Sequence, residues 1–97
     1  MQQTKQQPLF PLGQIVATPG ALTALEKAGQ TPTEFLTRHV RGDWGELTEE
    51  DRKENQFSLE RGFRLLSSYR TNAGDAKFYV ITEADRSVTT ILLPEEY

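Results

Sequence analysis

The sequence predicts an α+β domain: an N-terminal helical hairpin and a third helix packed on a three- to four-stranded antiparallel sheet. Three observations carry this expectation. Every helix start and stop signal lies before residue 63, while β-branched and aromatic runs fill the remainder; helices first and strands afterwards is the α+β order. A length of 97 residues suits one domain and one modest core. The run Ile91-Leu92-Leu93 is apolar without alternation, which points to a strand covered on both faces and so internal to the sheet.

Taken in order, residues 1–8 are rich in Gln and carry no apolar anchor, so they read as a flexible tail ahead of one domain over residues 9–97. Leu9, Phe10 and Leu12, set among Pro8, Pro11 and Gly13, read as a segment pinned onto that domain. Gln14 to Ala17 reads as a short edge strand or an extended lead-in. Thr18 then caps a first helix with Pro19 in its first position. That helix has a stripe of Ala21, Leu22, Leu25 and Ala28, and Gly29 closes it. Thr31-Pro32-Thr33-Glu34 is a capping box that opens a second helix. Phe35, Leu36, His39 and Val40 share one face of it, and Gly42 stops it. Helices one and two are expected to cover the sheet through Leu22, Leu25, Leu36 and Val40.

Thr48 starts a third helix, with Glu49, Glu50 and Asp51 at the positive end of its dipole. Its main apolar residues are Phe57 and Leu59, so it reads as mostly solvated, with Gly62 as its cap. Phe63–Arg70, Lys77–Thr82 and Val88–Leu93 then read as three strands. They are joined by the loop Thr71–Asp75 and the polar turn Ala84–Ser87.

Composition narrows the function. Lys plus Arg is 11 against 14 Asp plus Glu, a net charge of −3. No basic excess is available to hold a phosphate backbone, so nucleic acid is not a favoured partner. Zero Cys and one His exclude disulfides, zinc-thiolate sites, cysteine nucleophiles and multi-histidine metal sites. No metal or other cofactor is expected. No apolar run reaches the roughly 18–20 residues of a membrane span, and the N-terminus has no signal-peptide core. A cytoplasmic protein with a protein partner is the expectation. The charge is uneven: residues 41–60 hold three bases and seven acids. That acidic block invites a docking role but is diluted by Arg52 and Lys53, and reads first as a solvated helix face.

Two segments concentrate reactive side chains. Arg38 to Gly45 holds the lone His39, the lone Trp44, Arg38, Arg41 and Asp43, with Gly42 and Gly45 bracketing Asp43 and Trp44. As a site it would offer an acid or base, an anion clamp and a stacking surface. As plain structure it is a helix-ending turn with Trp44 plugging a small core, His39 half-buried and Asp43 capping backbone. The second segment joins Asp85 and Arg86, in the polar turn, to a strand face carrying Arg64, Ser68, Arg70 and Thr89 or Thr90. It would offer phosphate donors, or simply cross-strand ion pairs and threonine pairs. Arg38, Asp43, Trp44, Asp85 and Arg86 are therefore the binding candidates. His39, Arg41, Arg64 and Arg70 are the catalytic candidates.

From Ile15 onward the chain resembles a group of short bacterial proteins labelled plasmid-related. The likeness rests on Ala17-Thr-Pro-Gly-Ala21, on Arg38-His-Val-Arg-Gly-Asp-Trp-Gly-Glu-Leu47, and on the run from Ile81 to Tyr97. It implies a mobile-element setting and no particular chemistry. Helices followed by a small sheet, with a His, several Arg and a Tyr, are also similar in architecture to the metal-independent ribonucleases of the barnase, colicin and toxin type. Three readings follow: a non-enzymatic accessory protein that binds a protein partner, a small ribonuclease using His39 and the arginines, and a helix-turn-helix regulator built on the first two helices. The second requires His39 and at least two arginines on one concave surface, within about 8 Å of one another.

Overall fold

The computed structural model describes residues 7–74 and 76–97. Its elements are β1 (Gln14–Ala17), α1 (Pro19–Ala28), α2 (Pro32–Val40), α3 (Glu49–Arg61), β2 (Leu65–Arg70), β3 (Lys77–Thr82) and β4 (Val88–Leu92), then a 3-10 turn over Pro94–Glu96. The class is α+β. Of the tail expected over residues 1–8, residues 1–6 lie outside the described residues, while Gln7 and Pro8 are exposed. The chain is anchored just after them: the Leu9 N–H donates to the Val40 carbonyl at 2.8 Å, and Phe10 is buried.

The caps act as their residue types require. The Thr18 hydroxyl accepts from the Ala21 N–H and the Thr48 hydroxyl from the Asp51 N–H, each at 3.1 Å. The Glu34 carboxylate accepts from the Thr31 N–H. Gly29 and Gly62 end α1 and α3 in the left-handed region, where a side chain would be strained.

The four strands lie in the order β1-β4-β3-β2. As expected, β4 is internal and hairpinned to β3; its neighbour on the other side is β1. The expected all-antiparallel sheet is corrected in one respect: β1 runs parallel to β4, so the sheet is mixed. Three helices and a hairpin separate the two strands in sequence, and a long crossover of this kind is what a parallel pair needs.

One face of the sheet, the inner one, carries Tyr69, Phe78, Val80 and Ile91 against Ala21 and Leu25 of α1 and Phe35 and Leu36 of α2. A second cluster joins Phe10, Trp44 and Leu65. Three expectations for the helices and strand ends are corrected. Leu22 is exposed, because Ala21 and Leu25 point inward and leave it beside the stripe. Phe57 is 47% exposed, and α3 instead turns Asn55 and Ser58 inward. Two strands are shorter than read: β2 begins at Leu65, and β4 ends at Leu92 because Leu93 caps the 3-10 turn.

The two edges of the sheet differ. On β2, Asn55 imitates a neighbouring strand: its side-chain amide donates to the Leu66 carbonyl and its Oδ1 accepts from the Leu66 N–H. The Ser68 N–H donates to the Trp44 carbonyl, and the Ser68 carbonyl accepts from the Glu46 N–H. That edge is therefore closed. Asn55→Leu strands both Leu66 groups, and we expect it to cost about 2–3 kcal/mol. Asn55→Asp keeps the acceptor but sets a buried carboxylate oxygen against the Leu66 carbonyl, so it too should be destabilising in chemical denaturation.

Among the described residues, nothing comparable covers β1. Gln14 and Thr18 donate to Ser87 and Ile91 of the β4 side, so by the alternation of a strand the Ile15 and Ala17 amides point away from the sheet. Ile15 and Val16 are 43% and 42% exposed. Amide exchange should read this directly: Thr90 and Leu92 slow, Ile15 and Ala17 at loop-like rates. Slow exchange at Ile15 would mean that a further strand covers this edge.

Candidate functional site

The Arg38–Gly45 segment is held shut by its own side chains. Arg38 and Asp43 form a two-pronged ion pair at 2.7 and 3.3 Å. The pairing raises the Arg38 pKa and holds the Asp43 carboxyl below its ordinary value, with the hydrogen bonds between them the largest cause in each case. The Arg38 guanidinium lies 4.5 Å above the Tyr69 ring, and the Tyr69 hydroxyl donates to the Asp43 carbonyl. Burial pushes the Tyr69 hydroxyl well above its usual pKa. Gly45 has φ +76°, and a Cβ there would sit 2.0 Å from the Ser68 carbonyl oxygen. Only glycine allows the loop to reach β2. The candidate binding residue Trp44 is 5% exposed, stacked on Phe10 and edge-on to His39.

His39 has 0% exposure and lies within a chain of polar side chains. Its Nδ1 meets the Ser67 hydroxyl and its Nε2 the Thr82 hydroxyl. Thr82 contacts Thr89 at 2.7 Å, and Thr89 donates to the Leu12 carbonyl. The proton order follows from that last bond. Thr89 spends its proton on Leu12, so Thr82 must donate to Thr89 and accept from the imidazole. His39 is therefore the Nε2–H tautomer, with Nδ1 accepting from Ser67. Every group is satisfied with the ring neutral. Burial, with a smaller contribution from the Arg86 charge, pushes the His39 pKa down to about 3.

The polar turn is a brace. Arg86 takes a positive φ of 61°. Its guanidinium donates to the carbonyls of Phe63, Glu83, Ala84 and Ser58, which ties the β3–β4 turn to the end of α3. Asp85 accepts from the Ser87 N–H and hydroxyl, and those bonds hold its carboxyl below the ordinary range.

The catalytic candidates are not brought together. Arg64 pairs with Glu83 at 3.0 Å and Arg70 with Glu46 at 2.9 Å. The two arginines stand six residues apart along one strand direction, about 20 Å. Arg41 is exposed at the end of α2. His39 faces the inner side of the sheet, among Ser67, Thr82 and Trp44. Among the described residues, no group of three His, Asp or Glu side chains is placed to hold a metal ion, and no helix is long and apolar enough to cross a membrane.

Two concave regions remain. A cleft of about 800 Å³ lies between α1 and the β2–β3 loop. Its walls, among the described residues, are mostly small, with Lys27 the one charged residue. The other region is the outer face of the sheet, opposite the helices α1 and α2. The strand register places Leu66, Ile81, Thr90 and Val16 in one row across it, with Ser68, Tyr79 and Leu92 in the next. Arg64, Ser68, Arg70 and Thr90 of the strand face singled out from the sequence lie on this side, and Thr89 on the other. Among the described residues, α3 at one margin and the 3-10 turn with Tyr97 at the other border this face, where Tyr97 packs edge-on to Tyr79, and Ser68, Ile81 and Leu92 are buried on it.

The polar chain and this outer face are the features that reading by segment passes over. The chain joins Ser67, Thr82 and Thr89 from three strands, and no local pattern marks such a link. The face did leave a signal. Leu65-Leu66, Val80-Ile81 and Ile91-Leu92 each put adjacent apolar residues in a strand, which sends one to each side. No family model, curated protein or solved structure matches the chain.

Proposed function

We propose that the protein is a non-enzymatic accessory protein of a mobile genetic element, acting by binding a protein partner through the outer face of its sheet. The observation that supports this reading is that face itself. Val16 is 42% exposed and Leu66, Tyr79 and Thr90 are half-buried beside the covered Ile81 and Leu92, on a sheet whose other side already carries the core, and apolar sheet faces are normally covered by a second layer. The mobile-element setting rests on the sequence resemblance. The ribonuclease reading has no comparable support, since its base would be the fully buried His39 and its arginines are engaged by Glu83 and Glu46.

The test is affinity capture from the cell of origin with wild type and with the double variant Val16→Glu/Thr90→Lys. Both positions lie on the outer face and neither belongs to the buried core. Proteins captured by wild type and lost by a variant of equal melting temperature support the reading. Capture that ignores the variant overturns it, as would RNA cleavage by the purified protein that disappears in His39→Ala.

A further inference from the structure

The β2 edge of the sheet is closed by Asn55, Trp44 and Glu46. The β1 edge has no such cover among the described residues, and it also lacks the devices that keep an edge from pairing. Exposed edges are normally guarded by a charged side chain, a proline or a bulge. Gln14-Ile15-Val16-Ala17 contains none of these, and it pairs with β4 residue for residue. It lies in a stretch without a charged residue from Gln6 to Leu25. In a chain of net charge −3, two copies of this strand can come together with no like charges facing each other along it.

We propose that β1 pairs antiparallel with β1 of a second copy of the chain, across a two-fold axis at Val16, and so joins the two sheets into one of eight strands. Register argues for this occupant. Gln14 and Thr18 bond to the β4 side, which leaves the N–H and C=O groups of Ile15 and Ala17 pointing outward. With the axis at Val16, Ile15 of each protomer stands opposite Ala17 of its partner. Such hydrogen-bonded pairs exchange two bonds each, so four bonds satisfy every outward group of both strands. An axis at Ile15 would set Ala17 against Gly13, which has left the strand at φ +67°. An axis at Ala17 would set Ile15 against Pro19, which has no N–H to give. The side chains fit the same register. Val16, on the outer face, meets its own copy at the close, non-hydrogen-bonded position, and branched Ile15, on the inner face, lies across from small Ala17. The pairing thus covers the exposed Ile15 and Val16. An extended segment of another protein would supply backbone bonds equally well, but the match of Val16 to itself and of Ile15 to Ala17 is a property of this strand with itself. The inference goes beyond the binding reading and is independent of it, since the outer face stays open and runs on across both copies.

The contact joins two short strands, so the pair is weak and concentration reveals it. In sedimentation equilibrium on the whole protein from about 10 μM to about 1 mM, the mass should rise from 11.0 kDa toward twice that value. The Ile15 and Ala17 amides, loop-like in the dilute chain, should slow in exchange over the same range. Ala17→Pro removes two of the four bonds and none to β4, because the Ala17 N–H points outward; it should weaken pairing at least tenfold. Phe57→Ser, at an exposed apolar position on α3 beside the other edge, should leave pairing unchanged. The register has its own test, which keeps the natural backbone and so decides even if Ala17→Pro folds poorly. The chain has no Cys, so Val16→Cys carries a lone thiol whose copy lies across the axis with Cα atoms about 4.5 Å apart, within disulfide reach. It should oxidise to a covalent dimer, and Ile15→Cys, offset by two residues from its own copy, should form far less. A mass that stays at one chain throughout overturns the proposal, as does equal weakening by Ala17→Pro and Phe57→Ser or equal cross-linking of the two cysteine variants. Slow exchange at Ile15 in a chain that remains monomeric would place another segment of the same chain on this edge and would also overturn it.

Discussion

Trp44→Ala is expected to remove about 3–5 kcal/mol of stability, the usual cost of emptying a large aromatic site. For a domain of this size the net stability is on the order of 5–15 kcal/mol, so the loss is a large share of it. Trp44 sits at the centre of the smaller apolar cluster, stacked on Phe10 at 6.2 Å and edge-on to His39 at 5.6 Å, with Leu65 in the same cluster. Phe10 comes from the N-terminal segment and Leu65 from β2, so the indole joins parts of the chain that no local hydrogen bonding would hold together. At about 4–8 °C per kcal/mol, the melting temperature should drop by more than about 12 °C. Trp44→Phe, which keeps a ring against Phe10, should lose less than half as much. A Trp44→Ala protein that melts within a few degrees of wild type would show that the indole is not part of the core.

Acid is expected to destabilise the protein through one histidine, before its carboxylates are protonated. His39 has its pKa pushed down to about 3 by burial and by Arg86, against about 6.5 in the unfolded chain. Between those values the unfolded state binds a proton that the folded state refuses. Stability is therefore fully present above about pH 6.5 and falls as the pH drops toward 3. The slope is about 1.4 kcal/mol per pH unit once the unfolded histidine is protonated. Protonation would also reverse the Ser67 bond, because Nδ1 would carry a proton where it now accepts one. Across pH 6.5 to 5 the carboxylates stay largely ionised, so the slope in that window reports His39. Urea midpoints over that range should fall for wild type and stay level for His39→Gln, which starts less stable because it cannot span Ser67 and Thr82 in the same way. Equal slopes in the two proteins would show that His39 titrates normally and is open to solvent.

Much of the candidate chemistry was visible in the sequence without its arrangement being visible. His39, Trp44, Arg38 and Asp43 stand out because they crowd one short segment in which Gly42 and Gly45 bracket Asp43 and Trp44. Whether such a crowd is a site or a plug depends on which way the segment turns, and Gly45 decides it by bringing the loop within bonding distance of Ser68. Arg86 stands out as a free cation in a polar turn, yet four carbonyls from four different residues claim it. Asn55 carried no signal at all. A buried Asn in an otherwise charged helix reads as solvated, and only the position of Leu66 makes it a substitute strand.

What the sequence by itself determined is the local grammar. The caps at Thr18, Thr31 and Thr48, the left-handed glycines at 29 and 62, the three helices and the central place of β4 all follow from short-range sterics, hydrogen bonding and apolar periodicity, which act within a few residues. What only the tertiary structure decided is everything that couples distant residues. The parallel seating of β1 on β4, the buried proton-ordered chain from Ser67 to Leu12 and the closure of the β2 edge by Asn55 join positions as much as 77 residues apart. Their geometry comes from the packing of the sheet and helices as a whole, because burial and charge pairing depend on distance in space and carry no period along the chain.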